Sequence, residues 1–89
     1  MHYVYLIYSE SNPEQVYTGY TTDLKQRFQA HNSIGSTHTS KYKPWKLQAY
    51  FAFCNKKSAL DFESYLKSGS GRAFAKKHLW VEHKESTSS

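Results

Sequence analysis

Sulfur and hydrophobic runs are what this 89-residue chain has least of. Its single cysteine, Cys54, excludes an intrachain disulfide framework and any zinc site built on several thiolates. The five histidines (His2, His31, His38, His78 and His83) have no zinc-ligand spacing, so no structural metal is expected. No apolar stretch approaches the roughly 20 residues of a membrane span, and the Met-His-Tyr start lacks the basic-then-apolar layout of a signal peptide. A cytoplasmic protein with no membrane partner is the expectation. There is no internal repeat, and 89 residues leave room for one domain, expected over residues 1–82, with a flexible polar tail at 83–89.

What the chain has in quantity is aromatic rings and basic charge. Eight Tyr, five Phe and two Trp make up 17% of the residues, so large rings must supply much of the buried area. The net charge of +5 is unevenly laid out. Residues 1–24 hold three acids and no Lys or Arg, whereas residues 25–57 hold seven Lys or Arg and no acid. A basic middle third containing Lys41, Tyr42, Lys43, Trp45 and Lys46 is the kind of patch that binds a phosphate backbone with aromatic help. The alternative is a solvated loop whose Tyr42 and Trp45 pack on the core.

The pattern predicts an α/β (α+β) domain in the order β-β-α-β-α-α, with a small, mainly antiparallel three-stranded sheet flanked by helices. Tyr3–Ser9 alternates, with Val4 and Leu6 on one face and Tyr3, Tyr5 and Ile7 on the other. A polar turn at 10–14 leads to a second strand from Gln15 to Tyr20, in which Gly19 marks a place of close approach. Asp23 is a cap candidate for a helix to about Asn32, and a long loop from Ser33 to Pro44 follows. The third strand, Lys46–Phe53, is expected to place Leu47, Ala49, Phe51 and Phe53 on one face. Asn55 can cap a second helix ending at Ser68-Gly69-Ser70-Gly71, where glycine permits a left-handed stop. A third helix is expected from about Arg72 to Val81, with Phe74, His78 and Val81 inward.

Several polar residues fall on these inward faces. Arg27 and His31 lie one turn apart beside the Leu24/Phe28 stripe of the first helix. A guanidinium leaning inward needs a carboxylate, a ring face or an anion, unless its stem carries it past the core to water. On the second helix Glu63 is about 40° from Ala59, inside the Ala59/Phe62/Leu66 stripe. A carboxylate there must be paired or bind a metal, and an internal Arg27–Glu63 ion pair is one solution. Tyr5 and Tyr17 can meet across the first hairpin, either as core tyrosines with satisfied hydroxyls or as phenols whose acidity is tuned by nearby cations.

Taken together these landmarks resemble the GIY-YIG endonuclease family over about residues 2–80. They are Tyr3-Val4-Tyr5 with Leu6-Ile7-Tyr8, Tyr17-Thr18-Gly19, Asp23-Leu24-x-x-Arg27-x-x-x-His31, and Glu63 on the second helix. The Glu63–Arg72 stretch is similar to that of short stand-alone bacterial members. The first motif here has no glycine, and no asparagine follows Glu63.

The resemblance implies a metal-dependent endonuclease that hydrolyses DNA phosphodiester bonds; structure-selective action on branched, nicked or single-stranded forms is a separate expectation. Glu63 would hold one Mg²⁺ or Mn²⁺, and Tyr5 would be the general base or proton relay. Tyr17 would orient water or phosphate, Arg27 would bind phosphoryl oxygens, and His31 would assist proton transfer or orient Tyr5. Gly19 would keep the strand surface open to substrate. Nucleic acid would be held by Lys41, Lys43, Trp45, Lys46, Arg72, Lys76 and Lys77, with Tyr42 or Trp45 stacking on bases, or a protein partner would supply targeting. The competing readings are a catalytically weak nucleic-acid-binding module acting in DNA repair or recombination, and a structural domain whose basic surface is incidental.

Overall fold

The computed structural model describes residues 1–33 and 40–80. Residues 34–39 of the long loop expected after the first helix, the end of the expected third helix at Val81 and the 83–89 tail fall outside the described residues.

Three strands, β1 (His2–Ser9), β2 (Val16–Thr21) and β3 (Trp45–Phe53), form one antiparallel sheet in the order β2-β1-β3. The helices are α1 (Leu24–His31), α2 (Lys56–Lys67) and α3 (Gly69–His78), with a single helical turn at Ser40–Tyr42 before β3. The class and element order are those expected.

β1 is paired along both edges and packed on both faces, and its alternation sorts two cores. Val4 and Leu6 pack with Ala59, Leu66 and Ala75 of α2 and α3. Tyr5 and Ile7 pack on the opposite face with Trp45, joined by Tyr17, Leu24, Phe28 and Tyr42. The strand's period of two therefore separates a plain hydrophobic core from a polar aromatic one.

Local signals account for most boundaries. Asp23 accepts from Gln26 N–H at 3.1 Å, and Asn55 accepts from Ser58 N–H at 2.7 Å, so both expected caps form.

Three expectations are corrected. On β3 the register against β1 shifts between Leu6, which faces Ala49, and Ile7, which faces Leu47. Gln48 is the extra residue of this bulge, so Leu47 leaves the face that Ala49, Phe51 and Phe53 share. The Gln48 amide instead donates to the Leu79 carbonyl past the end of α3 at 2.6 Å.

The second correction concerns Ser68-Gly69-Ser70-Gly71. No described glycine has a positive φ, and α3 starts at Gly69, three residues before the expected Arg72. Ser68 serves both helices: its hydroxyl donates to the Tyr65 carbonyl at 2.6 Å and accepts from Gly71 N–H at 3.2 Å. Gly71 is needed for space, since a Cβ there would lie 1.7 Å from the Tyr65 carbonyl oxygen.

The earlier start also rotates the buried stripe of α3. Gly71 and Ala75 face inward while Phe74 and His78 are exposed, the reverse of the expected inner face.

Candidate active site

The second core of β1 contains a buried polar centre. In the β1–β2 register Tyr5 is opposite Gly19, with Tyr17 two residues earlier on the same face of β2. Gly19 has no side chain, and the Tyr5 ring occupies the space. A Cβ on Gly19 would meet the Tyr5 hydroxyl oxygen at 2.4 Å, Cζ at 2.6 Å and Tyr17 Cε2 at 2.9 Å. The close approach signalled by this glycine is thus that of the Tyr5 phenol; an opening for substrate is not what it provides.

His31, at the last position of α1 and 7% exposed, meets this phenol from the other side. Its Nε2 is 2.7 Å from Tyr5 Oη, a buried hydrogen bond linking residues 26 apart in sequence. The rings of Tyr5, Tyr17 and His31 form a triangle with centroid separations of 6.2, 5.6 and 4.9 Å. Trp45 closes one side, its ring 6.5 Å from that of His31.

Asn32 fixes this arrangement. Its side-chain oxygen accepts from Trp45 N–H, and its amide donates to the Trp45 carbonyl at 3.2 Å, so the start of β3 is pinned to the end of α1. Buried Ser9 does similar work nearby, donating to the Tyr42 carbonyl at 2.6 Å. Neither residue carried a recognisable signal in the sequence, since a lone Asn or Ser at an element end reads as a cap or turn residue.

The electrostatics hold both partners neutral. Burial pushes the Tyr5 phenol up to about 12, helped by the neighbouring Tyr17, while Arg27 acts in the opposite direction through a hydrogen bond and its charge. The negative charge of Glu63 is the smallest contributor and also raises it. Burial lowers His31 below its ordinary value, and the Arg27 charge adds to that. Near neutral pH a protonated phenol therefore faces an uncharged imidazole.

Arg27 is exposed, and its Nη1 lies 3.5 Å from the Tyr20 carbonyl. Glu63 is half-buried on α2, its side chain 19% exposed, and one carboxylate oxygen pairs with Lys67 Nζ at 3.1 Å. Among the described residues the Arg27–Glu63 ion pair considered from the sequence does not form. Among the described residues no group of three or more His, Cys, Asp or Glu is placed to hold a metal ion.

The basic residues divide into separate places. Lys41 and Lys46 are exposed and Lys43 is half-buried, with Lys41 Nζ 5.6 Å from the centre of the Tyr42 ring. Trp45 is 3% exposed and belongs to the core, so it is no stacking platform for bases. Arg72 and Lys76 line an open groove of about 1140 Å³ between β2 and the α2/α3 pair, which Tyr17, Lys67 and Trp80 also line. Lys77 is exposed on α3 and is not part of that lining.

A small antiparallel sheet that presents two strand tyrosines to an Arg and a His on the first helix, with a Glu on the second, defines a class. The family description "GIY-YIG catalytic domain" matches residues 1–78, and the chain belongs to this nuclease family. Within it, the chain is similar to proteins named UPF0213. It is 38% identical over 68 residues to one from Haloquadratum walsbyi, covering 75% of this chain and 74% of that protein. It is 32% identical over 84 residues to one from Streptococcus pyogenes serotype M5, covering 93% and 89%. The solution NMR structure of a UPF0213 protein from Bacillus halodurans is 33% identical, covers 98% of this chain and 88% of that one, and superposes with a TM-score of 0.53. Among the described residues no helix is long and apolar enough to cross a membrane.

Proposed function

We propose that the chain is a metal-dependent endonuclease acting on DNA phosphodiester bonds, with Tyr5, Tyr17, Arg27, His31 and Glu63 as its catalytic residues. The observation that carries this reading is the buried 2.7 Å hydrogen bond between Tyr5 and His31. It joins a group able to take a proton from water to a neutral base able to accept that proton in turn.

With its phenol held near 12, Tyr5 is almost never ionised at neutral pH. It therefore works as a relay, handing its own proton to His31 as it accepts one from the attacking water. The lowered His31 is uncharged near neutral pH and so can take up that proton. Arg27, exposed beside the phenol, binds phosphoryl oxygens and offsets charge that develops as the phosphate is attacked. Tyr17, which lines both the ring triangle and the groove, orients the water or the phosphate.

Glu63 fits a hard divalent cation. Its carboxylate is largely withdrawn from solvent, and only one of its oxygens has a hydrogen-bond partner among the described residues. Mg²⁺ or Mn²⁺ is suited to a single carboxylate completed by water and phosphate oxygens. When bound, such a cation supplies Lewis-acid polarisation of the phosphate and stabilises the leaving oxygen. Lys41, Lys43 and Lys46 on one surface, and Arg72, Lys76 and Lys77 on another, supply attraction for the backbone. A protein partner that directs the enzyme to its substrate remains part of the proposal.

The test is cleavage of supercoiled plasmid, single strand, flap, four-way junction and RNA with Mg²⁺ or Mn²⁺, by wild type, Tyr5→Phe, Arg27→Ala and Glu63→Ala. Cutting that needs the cation and is lost in all three variants is the expected result. Absence of cutting above the variants, with salt-dependent binding retained, would replace it by the binding-module reading.

A further inference from the structure

The Glu63 carboxylate has a partner of its own. Lys67, one turn further along α2, holds it at 3.1 Å, and the two ends of this pair sit in different surroundings. The glutamate side chain is 19% exposed, whereas that of the lysine is 52% exposed. Lys67 also lines the groove beside Arg72, Lys76 and Tyr17. One ammonium therefore stands between the carboxylate proposed to hold a cation and the basic wall proposed to hold a phosphate backbone.

An ammonium and a divalent cation on the same carboxylate repel each other, and their coordination demands compete for the same oxygens. The lysine has a long flexible stem and an exposed side to turn towards. The other basic residue of the site is in no position to take over: Arg27 is directed to the Tyr20 carbonyl and the Tyr5 phenol.

We propose that Lys67 is a positioning residue that couples cation binding to substrate binding. Without a cation it neutralises Glu63; a divalent cation on Glu63 releases its ammonium from the carboxylate, so that within the groove it already lines it turns with Arg72 and Lys76 to a substrate phosphate. By linkage, the substrate phosphate in turn favours cation binding by the same factor. This rests on the reading of Glu63 as the cation ligand.

The experiment measures Mn²⁺ binding by electron paramagnetic resonance without nucleic acid, in wild type, Lys67→Met, Lys67→Arg and Glu63→Gln. Met and Arg are both good helix formers at this exposed position, so α2 is preserved. Lys67→Met is expected to bind Mn²⁺ roughly two- to fivefold more tightly, the scale of a helix ion pair with one sheltered partner. Lys67→Arg, which keeps the cation, is expected to bind like wild type.

A second readout is the affinity for a labelled DNA oligonucleotide with and without Mn²⁺ in a Tyr5→Phe background. Mn²⁺ is expected to strengthen binding with Lys67 present and to lose much of that effect with Met. Unchanged or weaker Mn²⁺ binding by Lys67→Met, with binding lost in Glu63→Gln, would overturn the coupling while leaving Glu63 as ligand. Wild-type Mn²⁺ binding by Glu63→Gln would overturn the ligand assignment and the coupling with it.

Discussion

Replacing Gly19 by alanine adds one methyl group where the Tyr5 ring already lies. The new Cβ would be 2.4 Å from Oη and 2.6 Å from Cζ of Tyr5, and 2.9 Å from Tyr17 Cε2. Tyr5 is fully buried and tied to His31, so its ring has no free direction in which to yield. Overpacking of this kind costs about 1–3 kcal/mol, and a broken buried hydrogen bond adds about 1 kcal/mol. Reduced freedom of the unfolded chain returns about 0.4–1 kcal/mol, leaving a net loss of roughly 1–3 kcal/mol. For a domain of this size that lowers Tm by something like 4–20 °C, which a thermal melt followed by circular dichroism would read directly. Activity is expected to fall further than stability, because a phenol displaced by about 1 Å can cost on the order of 100-fold in rate. A Gly19→Ala protein that melts within a degree of wild type and cleaves at the same rate would refute the proposed packing of Tyr5 against Gly19.

The remaining predictions concern protonation and helix packing. His31 titrates below its ordinary 6.5 in the folded protein, so the stability it contributes is present above about pH 6.5 and is lost as pH falls through the folded-state value. Cleavage should decline over the same acid range, and an NMR titration of the imidazole should show the value rising in Arg27→Ala; a wild-type His31 titrating above 6.5 would contradict this. Gly71→Ala drives a Cβ into the backbone carbonyl of Tyr65, so α3 must lift from the end of α2, with a loss of at least about 2 kcal/mol in urea unfolding. A Gly71→Ala protein of wild-type stability would show that the two helices do not meet as described.

Hydrophobic alternation and capping chemistry made most of the fold legible in the sequence. The two faces of β1, the caps at Asp23 and Asn55 and the meeting of Tyr5 with Tyr17 all follow from local patterns. What stayed hidden depends on relations between distant segments. The bulge at Gln48 arises from pairing with β1, and strict alternation within β3 gives no sign of it. Gly71 looks like a helix stop because glycine has two uses, conformational freedom and close approach, and only the position of Tyr65 decides between them. Trp45 sits among lysines in sequence and looks available for stacking, yet the clamp by Asn32 turns it into core. The meeting of Tyr5 with His31 is foreshadowed by polar residues on apolar faces and by a family pattern, whereas Glu63 pairs with Lys67 on α2. The Lys67 pairing was also readable as an ordinary four-residue helix spacing, but its significance needs the groove beside it.

The central place of β1 has a consequence for when chemistry becomes available during synthesis. Its neighbour on one side is the next strand, but its neighbour on the other begins at Trp45, and the carboxylate arrives later still, on α2. An incomplete chain emerging from the ribosome can form the first hairpin and bring Tyr5 and Tyr17 together, yet it has neither the burial that raises the Tyr5 phenol nor the glutamate. For a member of a nuclease family, this topology brings the last of the proposed site residues into place only when the fold is nearly complete.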